Sequence, residues 1–446
     1  MKLLKHTPLA LATCLSLALA PLAVAQDPAA QTSETASTKP VATTQYGQVS
    51  GTMKRGVNVF LGIPYGADTS ETRFQPPQAP EPWNGVLEAT SYPDSTPQLE
   101  GNTAVFASWQ ADPVPEMSEN MLGLNIWTPG LDDRKRPVMV WLHGGGFQTG
   151  SGSSTAYEGV NLANRGDVVV VTINHRLNAL GYLYLAGMTD DPAYADSGNV
   201  GTLDMVHALT WVRDNIEMFG GDPDNVTVMG ESGGGFKISN LLATPAADGL
   251  FHKAVIQSGA AADSGTKEEA AKLAEYVLEE AGIETVEDLR AIPAKEFMDA
   301  ASRGLSKARA AGVNASFSPI VDDVVLPQQP FVDGAPDMSD DIPMLIGFNK
   351  DEMTIFVRSQ PWFGKLTEAQ LTAMSSRDPQ MKKLVEYYKE QRPDDEPTYI
   401  FNSALSAGFV SDSFVLAEQR EEGGAAPTYM YYLTWETNTW DGRLRS

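Results

Sequence analysis

Three short stretches of this chain carry residues whose types and spacing could do chemistry. Gly230-Glu231-Ser232-Gly233-Gly234 follows the run Val226 to Met229 and precedes a helix-like stretch that opens near Phe236. A serine on a sharp strand-to-helix turn projects its hydroxyl beyond the end of a sheet, and flanking glycines tolerate strained backbone and close packing. The alternative is a glycine-rich structural turn. Trp141-Leu142-His143-Gly144-Gly145-Gly146-Phe147 closes a second run, Pro137 to Leu142. Three consecutive glycines let backbone N–H groups converge without side chains in the way, as the oxyanion of acyl transfer requires. A phosphate cradle is the rival, but no Gly-Lys-Ser/Thr follows and no dinucleotide fingerprint opens a helix. His143 reads as a brace for this loop rather than a base. Asn349-Lys350-Asp351-Glu352 follows Pro343 to Gly347, so an acid sits at the C-terminal edge of a strand, where α/β sheets present ligand-facing residues. Alone it would be a solvated charge cluster; the order serine, acid, histidine expected of such an architecture gives it weight.

These stretches need a sheet and covering helices to bring them together. Pro137 to Leu142, Val168 to Ile173 and Val226 to Met229 read as buried strands, and Thr202 to Met218 as a helix, an order that implies a parallel sheet. Leu273, Val277, Leu278 and Ala281 mark an amphipathic helix between Gly265 and Gly282; more helical sequence runs to about Ala308 and from Thr367 to Arg392. These helices are expected to form a lid or side subdomain. No second linker appears, so one large domain is expected over 45–446.

Composition removes other function classes. Lys plus Arg total 32 against 57 for Asp plus Glu, a formal charge of −25 that repels nucleic acid and anionic membrane surfaces. One cysteine, Cys14, and five histidines offer no intrachain disulfide and no zinc spacing, so no structural metal is expected. Residues 1–25 read as a secretory signal: Lys2 and Lys5, an apolar run from Leu9 to Ala20, and a small-residue site at Ala23-Val24-Ala25 before Gln26. The run is short for a bilayer, so no stable membrane insertion is expected. Cleavage near Ala25 would deliver the protein to a periplasm or the exterior, and residues 26–44, rich in Ala, Thr, Ser and Pro, read as a flexible leader.

Further ordered motifs run from about Tyr46 to the last residue. They include Phe60-Leu61-Gly62-Ile63-Pro64-Tyr65, Arg73-Phe74 before Pro76, Leu124-Asn125-Ile126-Trp127-Thr128-Pro129, Asn199-Val200-Gly201 before Asp204, Phe219-Gly220-Gly221-Asp222-Pro223 and Gln257-Ser258-Gly259. On these the chain resembles the type-B carboxylesterase/lipase family, the cholinesterase-like branch of the α/β-hydrolases, and its bacterial secreted members in particular. The resemblance implies an α/β-hydrolase fold, a mostly parallel central sheet flanked by helices, and cleavage of small-molecule carboxylic esters through an acyl-serine without a cofactor. It implies Ser232 as nucleophile, Glu352 as the acid that orients the base, the amides of Gly145, Gly146 and Gly233 as oxyanion hole, and Glu231 and Ser258 as supporting groups. Arg73 with Glu119, and Arg176 with Asp204, fall where the family has structural ion pairs.

Two departures accompany the resemblance. Thr96 and Met121 stand where the family often pairs two cysteines. The family's catalytic histidine is expected after the strand Thr428 to Trp435 and the turn Gly442-Arg443-Leu444, which leaves the chain to Ser446 C-terminally incomplete and without its base. By position none of His6, His143, His175, His207 or His252 replaces it. The competing expectation is a ligand-binding or adhesion module that kept the fold and lost catalysis.

Overall fold

Uninterrupted runs of Val, Ile and Leu become strands covered on both faces. In this computed structural model residues 39–99, 115–424 and 426–445 are described. The strands are β1 (Val41–Thr44), β2 (Gly47–Ser50), β3 (Thr52–Lys54), β4 (Val57–Pro64), β5 (Val86–Glu88), β6 (Gly123–Thr128) and β7 (Arg136–Leu142). They continue as β8 (Val169–Ile173), β9 (Gly221–Glu231), β10 (Lys253–Gln257), β11 (Gly265–Thr266), β12 (Ile320–Val321), β13 (Met344–Asn349) and β14 (Thr428–Leu433). Nine form the main sheet in the order β14-β13-β10-β9-β7-β8-β6-β4-β3. From β14 to β8 every pair is parallel, and from β8 to β3 every pair is antiparallel. The expected mostly parallel sheet is present, with an antiparallel end.

The parallel strands all present their C-terminal ends on one edge. Leu142 pairs with Gly230, Gln257 with Glu231, and Gly347 with Gln257, so the three chemically suggestive stretches leave the same edge from neighbouring strands. Helix Val200–Asn215 covers the sheet and is buried almost all round; Val206, Leu209 and Val212 join Val138, Val140, Val226 and Ile256 in the main core. A second apolar cluster gathers Leu273, Val277, Phe297 and Ala301 of helices Lys267–Ala281 and Ala294–Ala310 against Phe74, Phe147 and Tyr182. A third, with Leu371, Val385 and Phe401, holds helices Glu368–Ser375, Pro379–Gln391 and Pro397–Leu405 together. The side helices are thus packed satellites of the sheet.

Two expectations change. The leader read over 26–44 reaches too far, because Val41–Thr44 pairs antiparallel with β2 and buries Ala42 and Thr44 in alternation. The helical sequence read from Thr367 to Arg392 is two helices, Glu368–Ser375 and Pro379–Gln391, parted at Asp378-Pro379. Proline sets the first turn of the later helix, and the Asp378 carboxylate caps it, accepting from the Gln380 amide at 2.7 Å. The expected signal segment with Cys14 and His6, and most of the leader, lie outside the described residues. No single described helix is long and apolar enough to cross a membrane.

Candidate active site

β9 ends at Glu231, Ser232 turns the chain, and helix Gly233–Leu241 begins at once. Ser232 holds φ 54°, ψ −122°, a backbone state that costs a non-glycine residue on the order of 1–3 kcal/mol unless its surroundings impose it. They do: its amide donates to the Gln257 carbonyl at 2.8 Å, and its carbonyl accepts from the Gly235 amide at 2.9 Å. The helix start lies flush on the neighbouring loop. A Cβ on Gly234 would collide with the Leu142 carbonyl, and one on Gly233 with the backbone of Gly146. Glycine is required at both positions by this approach.

The Gly144–Gly146 loop is pinned through its carbonyls. In a trans peptide the C=O and the following N–H point in opposite directions, so a held carbonyl aims the next amide. The protonated Nδ1 of His143 donates to the Gly144 carbonyl at 2.8 Å, which aims the Gly145 N–H the other way. The Gly145 carbonyl accepts from the Gln148 and Thr149 amides, each at 3.2 Å, which aims the Gly146 N–H. Among the described residues the amides of Gly145, Gly146 and Gly233 meet no acceptor, and the last two lie against each other. The Ser232 hydroxyl also forms no hydrogen bond among the described residues. A tetrahedral oxyanion formed there would meet unspent donors.

Two acids belong to the same end of the sheet. Glu352 is buried; its Oε1 accepts from the Asn349 amide at 2.5 Å and its Oε2 from Asn349 Nδ2 at 3.2 Å. Asn349 Nδ2 also reaches Ser258 Oγ at 3.4 Å, tying β13 to the end of β10. Glu231 is exposed as a residue, while its Oε2 is tucked beside the Cα of Gly144. Its carboxyl is pushed up to about 7 by burial and then by the charge of Glu352. The structure therefore gathers Ser232, Gly145, Gly146, Gly233, Glu231, Ser258 and Glu352 at one end of the sheet.

The described histidines have structural surroundings. His143 and His175 stack at 5.0 Å between ring centroids, and burial, followed by the charge of Lys237, holds both well below the ordinary imidazole range. His207 packs beside Tyr65, and His252 Nδ1 accepts from the Val226 amide at 3.2 Å. None is hydrogen-bonded to Ser232 or Glu352. Thr96 donates its hydroxyl to the His175 carbonyl at 2.6 Å, and Met121 is buried in the main core. Among the described residues no group of three or more His, Cys, Asp or Glu side chains is placed to hold a metal.

Sequence reasoning passed over three residues of this region. Tyr157 has its hydroxyl pushed up to about 12 by burial and then by Glu231. The Tyr431 ring lies on Gly347, in the space a Cβ there would need, and its hydroxyl is raised by burial and then by Glu352 and Glu231. Lys237 is fully buried, and burial pushes its ammonium down to about 7. Only Lys237 left a signal, a lysine inside the apolar helix start Phe236-Lys237-Ile238.

The ion pairs hold the frame. Arg73 forks onto Glu119 and donates to the carbonyls of Leu289 and Ile292 at 2.9 Å, linking the edge of the sheet to the satellite helices. Arg176 and Asp204, both buried, pair at 2.6 Å.

The chain has relatives of known kind. The profile of the carboxylesterase family matches residues 38–442. Para-nitrobenzyl esterase of Bacillus subtilis (strain 168) is 41% identical over 322 residues, 72% of this chain and 64% of that protein. Phenmedipham hydrolase of Pseudarthrobacter oxydans is 36% identical over 71% of this chain and 62% of its own length, so the aligned part spans under two thirds of both relatives. Liver carboxylesterase 1 of Oryctolagus cuniculus is 34% identical over 89% of this chain and 75% of its own. Among solved structures, a Geobacillus stearothermophilus carboxylesterase superposes with a TM-score of 0.77 at 39% identity, over 90% of this chain and 81% of that one.

Proposed function

The chain belongs to the carboxylesterase family, and on that premise we propose that it hydrolyses carboxylic esters through an acyl-enzyme on Ser232. The observation that carries this reading is the unengaged Ser232 hydroxyl on a strained turn beside the unspent amides of Gly145, Gly146 and Gly233. Ser232 Oγ attacks the ester carbonyl, and the oxyanion is held by those amides. The alcohol leaves, and water then attacks the acyl-serine and releases the acid. In the complete form of this mechanism a histidine between the serine and the acid takes and returns the proton, and no described histidine is bonded to Ser232 or Glu352. Without one bonded to the serine, the residues in hand give slow turnover. The substrates proposed are short-chain activated esters, and one relative is named for para-nitrobenzyl esters.

The test is para-nitrophenyl butyrate hydrolysis with covalent labelling of Ser232 by an organophosphate. Labelling of the parent and none of Ser232→Ala, with no effect of chelators, supports the reading; full turnover by Ser232→Ala refutes it. A binding module on the same fold is favoured by one observation, the lack of any histidine bonded to Ser232 or Glu352 among the described residues. It predicts an unlabelled serine even when imidazole is supplied. Export is part of the proposal: Lys2, Lys5 and the Ala23-Val24-Ala25 site support cleavage near Ala25 and a periplasmic or extracellular product. Intact mass from the native host would then start at or near Gln26, and a mature chain beginning at Met1 would refute it.

A further inference from the structure

Lys237 is fully buried on helix Gly233–Leu241, five residues after the serine. Its ammonium donates to the His143 carbonyl at 2.8 Å, and the Phe147 ring centroid lies 6.0 Å away. Among the described residues it forms no ion pair with a carboxylate. A buried cation without a counter-charge is costly, and a well-packed apolar replacement of similar size is often as stable or more so. Core packing therefore does not account for a lysine here.

The geometry of the glycine loop does. Three successive carbonyls are held: that of His143 by Lys237, that of Gly144 by the His143 imidazole, and that of Gly145 by the Gln148 and Thr149 amides. Each held carbonyl turns the next N–H to the opposite side of its peptide plane. The lysine supplies the first hold, at the junction where the loop leaves β7. It also links the loop to the helix that carries the serine, so nucleophile and amides keep one spacing.

We propose that Lys237 is a positioning residue for acyl transfer: its hydrogen bond to the His143 carbonyl fixes the first peptide of the glycine loop and, through it, the aim of the Gly145 and Gly146 amides at the oxyanion. This rests on the esterase reading of the same site. Being fully buried beneath the loop, the lysine acts through the amides.

The experiment reads the rate constant and the amplitude of Ser232 labelling by diethyl para-nitrophenyl phosphate. In that reaction the serine oxygen bonds to phosphorus, para-nitrophenolate leaves, and the serine proton passes to buffer. Lys237→Met keeps the length of the side chain and removes the donor. It should melt at or above the parent's temperature and label to full amplitude, with a rate constant roughly tenfold to a hundredfold lower. Lys237→Arg, which retains a donor, should label faster than Lys237→Met. A merely structural lysine gives the reverse pattern: a lower melting temperature or no cooperative melt, reduced amplitude and an unchanged rate constant in the folded fraction. That result, or equal rate constants for parent and Lys237→Met, overturns the proposal. If the parent labels no faster than Ser232→Ala, the esterase reading itself fails, an outcome distinct from either.

Discussion

Glu231 and Glu352 share one end of the sheet, and the charge of Glu352 acts on Glu231. Glu231 leaves β9 and Glu352 follows β13, with β10 between them, and burial plus the Glu352 charge pushes the Glu231 carboxyl up to about 7. A carboxyl raised from about 4.5 binds more protons when folded than unfolded, so its stabilising contribution is fully present below pH 4.5 and is lost as pH rises through 7. Glu231→Gln cannot ionise. Parent and variant melting temperatures should therefore diverge between pH 5 and 8, the variant gaining on the parent as pH rises. A difference that stays constant across that range would show that Glu231 does not titrate there.

The second expectation concerns the proton acceptor for Ser232, to which no described histidine is bonded. The Ser232 hydroxyl keeps its proton near neutral pH when no base is bonded to it, and removing the base of such a triad costs on the order of 10⁶ in turnover. Free imidazole added to the protein should then raise para-nitrophenyl butyrate hydrolysis above the buffer reaction in the parent but not in Ser232→Ala. A parent that already turns over at rates typical of enzymes and ignores imidazole would mean that one of its own histidines serves, and the assignment would have to change.

Much of this arrangement is legible in the residues, for identifiable reasons. The strands β7, β8 and β13 read correctly to within two residues because each is a short apolar run, buried throughout in β8 and at alternate positions in β7. The serine turn reads because its glycines are required by backbone contact. Helix Pro397–Leu405 gave no signal: seven consecutive residues from Thr398 to Ala404 are buried, so it has no apolar stripe to detect. Tyr431 reaches the acids only through its register opposite Gly347, a pairing that no local spacing encodes. Lys237 was passed over because a lysine is ordinarily read as facing solvent.

The frame behind the site makes a third prediction. Asp204 accepts from the Arg176 amide at 2.9 Å, from Nε at 2.8 Å and from Nη2 at 2.6 Å, with both side chains out of water. Asp204→Ala leaves a buried guanidinium without its partner, which costs about 3–5 kcal/mol. The exposed helical pair Lys382 and Glu386, 3.8 Å apart, is the control, and Glu386→Ala should cost about 0.5 kcal/mol or less. Denaturant titration decides between them; comparable losses for the two variants would contradict the burial argument.

The last prediction comes from the two ends of the main sheet. β3 is a three-residue edge that finishes in Lys54, whose ammonium pairs with Glu158 at 2.8 Å, a short and charged edge that resists further pairing. β14 is the opposite case. It is six residues of Thr, Tyr, Met, Tyr, Tyr and Leu, bonded to β13 alone in this sheet, and beyond it Trp435 is 67% exposed. Tyr429 is 63% exposed, and Met430, Tyr432 and Leu433 are exposed as well, so apolar surface and unpaired backbone groups coincide on one strand. Such a strand binds hydrophobic dyes and pairs with other chains. The protein should therefore self-associate as its concentration rises and enhance dye fluorescence, and Tyr429→Lys should lower both without changing the rate constant of Ser232 labelling. If sedimentation shows the same association for Tyr429→Lys as for the parent, β14 is not the contact, and the exposed aromatics there do not govern solubility.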